Sequence, residues 1–245
     1  MPTRPQLLCL PPAGTGPSLY HPWTMRHTDR VETVAVSLPG REARIAEPLP
    51  SSIETLADQL ADELAPRARH RYAMFGYSMG ALLAYEVVRR WIKAGLPAPE
   101  VFFILGCNPP NRLLENYELL HPLESGKFWK AVADLGGTPR EFLDVPEALE
   151  LFEPIVRNDF RICENYNHTF GAPLACSAHV FVADRDAMVD IQTASGWRAF
   201  MSEEVTLHTV SGIHMLERAS FDKLLDRILD LWPDQLPRQT LSPKS

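Results

Sequence analysis

Gly76-Tyr77-Ser78-Met79-Gly80 carries the sharpest chemical signal in this sequence. The five residues follow an apolar run, Tyr72 to Phe75, and precede a helical pattern from Ala81. A serine between two glycines at a strand-to-helix turn can take strained backbone angles and push its hydroxyl outward. The helix N-terminus behind it offers free N–H groups and a positive dipole end to developing negative charge. Out of context, a GxSxG string in a Gly-containing turn is a chance match. The strand before it and the helix after it favour a nucleophile.

A serine nucleophile needs a base, and the base needs an orienting acid. In a strand-turn-helix setting of this kind the expected chain order is Ser, acid, His. Of the eight histidines, His208 and His214 lie late in the chain near a strand end. His208 falls inside the run Val205 to Val210. His214, in Ser211-Gly212-Ile213-His214-Met215-Leu216, sits in the loop after it and is the expected base. Asp184 and Asp186 compete as the acid after the run His179 to Ala183. A carboxylate there lies at the active end of an open α/β sheet. Asp184 can pair with Arg185 or cap the turn, so Asp186 is the preferred acid, and Asp190 reads as a helix N-cap. An oxyanion hole needs two N–H donors. Met79 supplies one. The loop Pro11-Pro12-Ala13-Gly14-Thr15-Gly16 must supply the other, from Ala13 or Gly14 because prolines cannot donate; Ala13 is favoured. The loop lacks the phosphate-binding GxxxxGK[ST] pattern.

These residues need a scaffold. Strands are expected at Gln6 to Leu10, Thr33 to Leu38, Tyr72 to Phe75, Val101 to Leu105, His179 to Ala183 and Val205 to Val210. Helices are expected at Ser51 to Leu64, with a Ser51/Glu54 capping box, at Ala81 to Ala94, ended by Gly95, and at Phe221 to Trp232. The alternation predicts an α/β fold: a mostly parallel central sheet, buried on both faces by helices. Residues 1–107 and 174–232 form its core. Residues 108–173 read as helices and loops only. Stripes at Phe128, Val132 and Leu135, and at Leu149, Phe152, Ile155, Val156 and Phe160, suggest a helical lid insertion. Asp144 and Pro146 open the second stripe. Residues 233–245 read as a flexible tail.

Composition narrows the function classes. The 245 residues are 45% hydrophobic and 22% charged, ordinary for a globular chain. A net charge of -7 disfavours a nucleic-acid binder. No apolar run approaches a membrane span, and Leu7 to Leu10 is too short for a signal peptide. The four cysteines, Cys9, Cys107, Cys163 and Cys176, lack metal or redox spacing. They read as buried free thiols in a reducing cytoplasm. Arg67, Arg69, His70 and Arg71, with Arg89 and Arg90, read first as solvated surface charge and second as a face for an acidic partner. Tyr20 and Trp23 read first as core and second as a border of the site entrance. Phe128, Trp129 and Phe152 read as lid packing or pocket lining, and Arg157 with Asp159 as an ion pair within the lid.

Several blocks in order resemble the type II thioesterases, the stand-alone editing hydrolases of nonribosomal peptide and polyketide synthesis. The blocks are Leu10-Pro11-Pro12-Ala13-Gly14, Leu38-Pro39-Gly40-Arg41-Glu42 with Arg44 and Glu47-Pro48, and the nucleophile motif. Leu135-Gly136-Gly137-Thr138-Pro139, Pro154 to Phe160 and Gly212-Ile213-His214-Met215-Leu216 complete the set. The resemblance covers roughly Leu7 to Trp232. It implies an α/β-hydrolase fold, a Ser78-His214-Asp186 triad and an oxyanion hole at Met79 and Ala13. It also implies hydrolysis of acyl thioesters held on the phosphopantetheine arm of a carrier protein. The enzyme itself would need no metal or cofactor, and a monomer is the simpler expectation. Tyr77 stands where the family has His, which is expected to alter the pocket floor. Pro12, Thr15 and Ile213 also depart from the pattern. The competing readings are a small-molecule esterase or acyl-CoA thioesterase on the same fold, and an inert binding module.

Overall fold

The computed structural model describes residues 4–115, 118–136, 138 and 140–232. The expected tail, residues 233–245, lies outside the described residues, as do Gly137 and Pro139.

The apolar runs form β1 (Gln6–Leu10), β2 (Glu32–Ala35), β3 (Tyr72–Tyr77), β4 (Val101–Leu105), β5 (Ser177–Ala183) and β6 (Val205–Val210). All pair in parallel, in the order β2-β1-β3-β4-β5-β6. β2 is shorter than the expected Thr33 to Leu38. Its ladder with β1 closes at Val36 N–H to the Cys9 carbonyl, and the chain then turns at Pro39 and the left-handed Gly40 (φ 76°).

Side chains alternate across the sheet, as a period of two requires. Leu8, Leu10, Met74, Phe102, Ile104 and Val180 face α2 (Ile53–Leu64) and α3 (Met79–Lys93). Leu7, Cys9, Ala73, Phe75, Phe103 and Phe181 face α1 (His21–Thr24) and α8 (Arg218–Leu231). Tyr20 and Trp23 are core residues, and Trp23 stacks on Phe221 at 4.5 Å. The capping box of α2 is displaced by one residue: Ser52 and Thr55 make it, not Ser51 and Glu54.

Between β4 and β5 lie α4 (Ser125–Asp134), α5 (Arg140–Leu143) and α6 (Pro146–Glu164). A small apolar cluster of Leu120, Phe128, Trp129, Val132, Val156 and Phe160 joins α4 to α6. Pro146 opens α6 at its first turn, where its missing N–H costs nothing, but Asp144 does not cap it. The helix runs on through Pro154, forgoing one backbone hydrogen bond. Phe152 is exposed on its outer side.

Arg157 and Asp159 do not pair with each other, because residues two apart on a helix point in different directions. Arg157 binds Glu153 and the carbonyls of His121 and Leu123. Asp159 faces the sheet domain. The short α7 (Ile191–Ala194) is capped by Asp190, which accepts from the N–H groups of Gln192 and Thr193. No described helix is long and apolar enough to cross a membrane.

Candidate active site

The strand order places the site. β1 connects to β2 on one side, and β3 to β6 extend from its other side. The carboxyl ends of β1 and β3 therefore meet at a topological switch point, where open α/β sheets bind ligands. The loop after β1 and the turn after β3 share this end.

Ser78 occupies that turn with φ 50° and ψ -118°, a conformation few non-glycine residues adopt. The flanking glycines are required sterically. A Cβ on Gly76 would stand 2.3 Å from the Ala81 backbone, and one on Gly80 would stand 2.1 Å from the Leu10 carbonyl oxygen. The second contact also shows that the end of β1 lies directly against the serine turn. The Ser78 N–H donates to the Leu105 carbonyl at 2.8 Å, tying the turn to β4.

His214 Nε2 lies 3.0 Å from Ser78 Oγ, and its Nδ1 lies 2.9 Å from Asp186 Oδ2. Both partners of the second contact are buried. Asp186 is held in turn by the N–H groups of Met188 (2.8 Å) and Val189 (3.1 Å). Asn108 braces this loop through the Met188 carbonyl. Gly106, left-handed at φ 57°, passes beside both groups. Asp184 points elsewhere and accepts from the Gly212 N–H at 2.9 Å. His208 lies on β6 against His179 and Arg227. Burial and the Arg227 and His179 charges depress its pKa to about 4, so it is neutral near pH 7.

The loop after β1, expected to supply an oxyanion donor, converges on the same place. Ala13, Ser78, Met79 and His214 line one apolar cavity of about 160 Å³. Met79 is the first residue of α3, so its N–H has no acceptor within the helix. The Gly14 N–H is already used, donating to Asp159 at 2.8 Å. Among the described residues the Ala13 N–H has no acceptor. Thr15 closes the loop by donating its hydroxyl to the Pro12 carbonyl at 3.0 Å. Leu82, Trp129, Val156, Phe160 and Met188 supply apolar walls. Cys107 and Cys163 also line the cavity. Burial pushes the Cys107 thiol up to about 12 and the Cys163 thiol well above its ordinary value. Both therefore stay protonated and are poor nucleophiles.

Tyr77 does not form the pocket floor. Its hydroxyl donates to the His214 carbonyl and accepts from the Leu216 N–H, both at 2.7 Å. Burial raises its pKa, which keeps it a neutral hydroxyl. This brace on the histidine loop escaped sequence reasoning, since its partners lie more than 130 residues away. Ile213 packs against Gly136, and the Met215 N–H donates to the Leu135 carbonyl at 3.0 Å. The helical segment thus touches the histidine loop as well as the loop after β1.

The basic cluster seen in the sequence is largely paired. Arg67 meets Glu32, Arg71 meets Glu100, and Arg89 and Arg90 both meet Glu86. Among the described residues no group of His, Cys, Asp and Glu could hold a metal ion.

Residues 5–232 match the family model described as a thioesterase domain. The chain is 31% identical over 226 residues to the thioesterase PikA5 of Streptomyces venezuelae, covering 92% of this chain and 80% of that protein. The thioesterase RedJ, from the prodiginine pathway of Streptomyces coelicolor, superimposes with a TM-score of 0.84 at 33% identity, over 91% of this chain and 84% of its own. The type II thioesterase BorB of the borrelidin cluster does so with a TM-score of 0.84 at 33% identity, over 94% and 93%. A catalytic-type turn at the switch point and relatives of this kind lead to one conclusion: the chain belongs to the thioesterase family, and its relatives include type II thioesterases.

Proposed function

We propose that this thioesterase hydrolyses acyl groups from the phosphopantetheine arms of carrier proteins, as an editing enzyme of a nonribosomal peptide or polyketide synthase. The observation that carries the chemistry is the continuous hydrogen-bond chain Ser78–His214–Asp186 at the wall of an apolar cavity. The carrier-protein substrate is supported by relatives such as BorB, whose cluster makes borrelidin.

In this reading Ser78 Oγ attacks the thioester carbonyl carbon while His214 Nε2 takes its proton. Asp186 holds the imidazole in the tautomer that leaves Nε2 free and stabilises the imidazolium. The tetrahedral oxyanion sits on the N–H groups of Met79 and Ala13. The C–S bond breaks, and His214 returns the proton to the departing sulfur. Water then attacks the acyl-serine and loses its proton to His214. The ester bond breaks, Ser78 is reprotonated and the free acid leaves. Water is the only co-reactant. The acyl chain occupies the cavity beneath residues 108–173, which act as its lid. A cavity of this size suits a chain of about six carbon atoms, since one of roughly 150 Å³ holds benzene. Free cysteines support work in a reducing compartment, the cytoplasm.

The test is mass spectrometry of an acyl-loaded carrier protein incubated with the enzyme. Ser78→Ala should lower kcat by roughly 10⁴- to 10⁶-fold. Equal hydrolysis by both proteins would sink the assignment. A kcat/KM that favours free esters over the carrier-bound thioester would reassign the substrate.

A further inference from the structure

Asp159 is a buried carboxylate on α6 that the chemistry above does not use. Its side chain has 0% exposure, and that of its partner Arg41 has 5%. The two meet bidentately, Nη1 to Oδ2 at 2.6 Å and Nη2 to Oδ1 at 2.8 Å. Asp159 Oδ2 also accepts the Gly14 N–H at 2.8 Å, while Arg41 Nη1 donates to the Thr15 carbonyl at 3.1 Å. The pair thus grips the loop after β1 at two successive residues. Val156, one helical turn before Asp159, presses on the same point. A Cβ on Gly14 would stand 3.1 Å from it.

Gly14 stands at φ 72° and has no Cβ, so sterics restrain its peptide plane less than they would at another residue. The Asp159 hydrogen bond fixes the peptide joining Ala13 to Gly14. The preceding peptide carries the Ala13 N–H, the donor assigned to the oxyanion hole. A buried ion pair is a poor source of stability, because desolvation offsets much of its attraction. The placement of this one on a catalytic loop needs another explanation.

We propose that Asp159 is a positioning residue for the oxyanion hole: from the lid helix it holds Gly14, and through Gly14 it aims the Ala13 N–H at the developing oxyanion. Arg41 keeps the carboxylate oriented. The inference rests on the triad and hole assignments of the proposed function.

Two double variants separate positioning from mere packing. Arg41→Met with Asp159→Leu replaces the ion pair by apolar bulk and removes the acceptor for Gly14. Arg41→Gln with Asp159→Asn removes the charges but keeps an oxygen for Gly14. Hydrolysis of an acyl-loaded carrier protein is measured for each, normalised to Ser78 titrated with a fluorophosphonate. The Met/Leu pair should lose about 100-fold in kcat with KM within twofold, the scale of a misplaced catalytic donor. Its Ser78 should also label more slowly with the same probe, whose phosphoryl oxygen uses the hole. The Gln/Asn pair should stay within threefold of the unchanged protein.

A Met/Leu pair with unchanged kcat overturns the inference. So does a Gln/Asn pair that falls more than tenfold per titrated serine, an outcome that stands even if the first variant fails to fold. Ser78→Ala run alongside keeps the two readings apart. If it is inert while the Met/Leu pair is fully active, only the role of Asp159 fails. If it stays active, the site assignment itself fails.

Discussion

In the sheet, Phe75, Phe102 and Phe103 have no exposed surface, and neighbouring strands hold each other through parallel ladders. In residues 108–173 the apolar cluster is small, and several of its members keep some exposure, up to 9% at Phe160. Polar ties supplement it: Glu153 with Arg157, Glu164 with His121 and the N–H groups of Leu120 and His121, and Asp159 with Arg41 and Gly14. The hydrogen-bonded Ser78, His214 and Asp186 sit on the first region, and the second supplies part of the cavity wall, including Trp129, Val156 and Phe160. A chemical step needs fixed donors and acceptors, so its residues ride on strand ends. A lid over an acyl chain, as proposed for residues 108–173, needs only to be placed, and a few directional contacts can do that.

The contrast can be broken by making the same truncation in both regions. Phe102→Ala should cost about 3–5 kcal/mol, since the sheet cannot collapse into the hole. Phe160→Ala should cost about 2 kcal/mol and widen the cavity, shifting preference toward longer acyl chains. Urea unfolding of both, with an acyl-chain panel for the second, checks this. Equal losses of stability would erase the distinction.

A smaller effect probes the seam between strand and histidine loop. Tyr77→Phe leaves the part-buried Leu216 N–H without its acceptor, worth about 1 kcal/mol. Because the same hydroxyl holds the His214 carbonyl, kcat should fall roughly tenfold with KM unchanged, if a small misplacement of the base behaves as others do. A drop in stability without a drop in kcat would show that the loop holds its histidine unaided.

The smallest effect concerns Glu86, where the sheet domain meets the segment after α6. Burial pushes its carboxyl up, but hydrogen bonds from Tyr166, Arg89 and Arg90, with the Arg89 charge, outweigh that and hold it below its ordinary value of 4.5. A depressed folded pKa means stability that is fully present above the unfolded value and lost as pH falls through the folded one. Glu86→Gln should therefore cost about 1 kcal/mol at pH 7, and the difference from the unchanged protein should shrink below pH 4.5. Thermal melts at pH 7 and pH 3.5 measure it; a constant difference would assign the effect to packing instead.

How much of this was legible in the sequence follows from distance along the chain. β1 and β4 begin and end where the apolar runs do, because burial on both faces makes such runs nearly continuous; the half-exposed edge strand β6 matches its run by alternation instead. The serine turn was legible from five residues. Pairings between distant residues were not. Arg41 and Asp159 are 118 positions apart, and nothing in their local patterns points one to the other. Arg157 beside Asp159 suggested a local pair that helical geometry forbids. The basic run from Arg67 looked free because Glu32 and Glu100 reach it only through the fold. The apolar stripe from Leu149 to Phe160 does run through Pro154 as one helix, since packing against Gly14 and the α4 cluster outweighs one lost hydrogen bond.

The interruption between β4 and β5 also has a consequence in time. Ser78 and the loop after β1 belong to strands made before it, while Asp186 and His214 follow strands made after it. At a synthesis rate of about 5–20 residues per second, roughly 5–20 s separate Ser78 from Asp186. During that interval the nascent chain carries Ser78 without the His214 that the proposed mechanism gives it as base. β5 and β6 lie beyond β4 in the sheet, so the hydrogen-bond chain Ser78–His214–Asp186 can close only after both have been made. A ribosome stalled within the insertion would hold four of the six strands and, on the proposed mechanism, no hydrolytic activity.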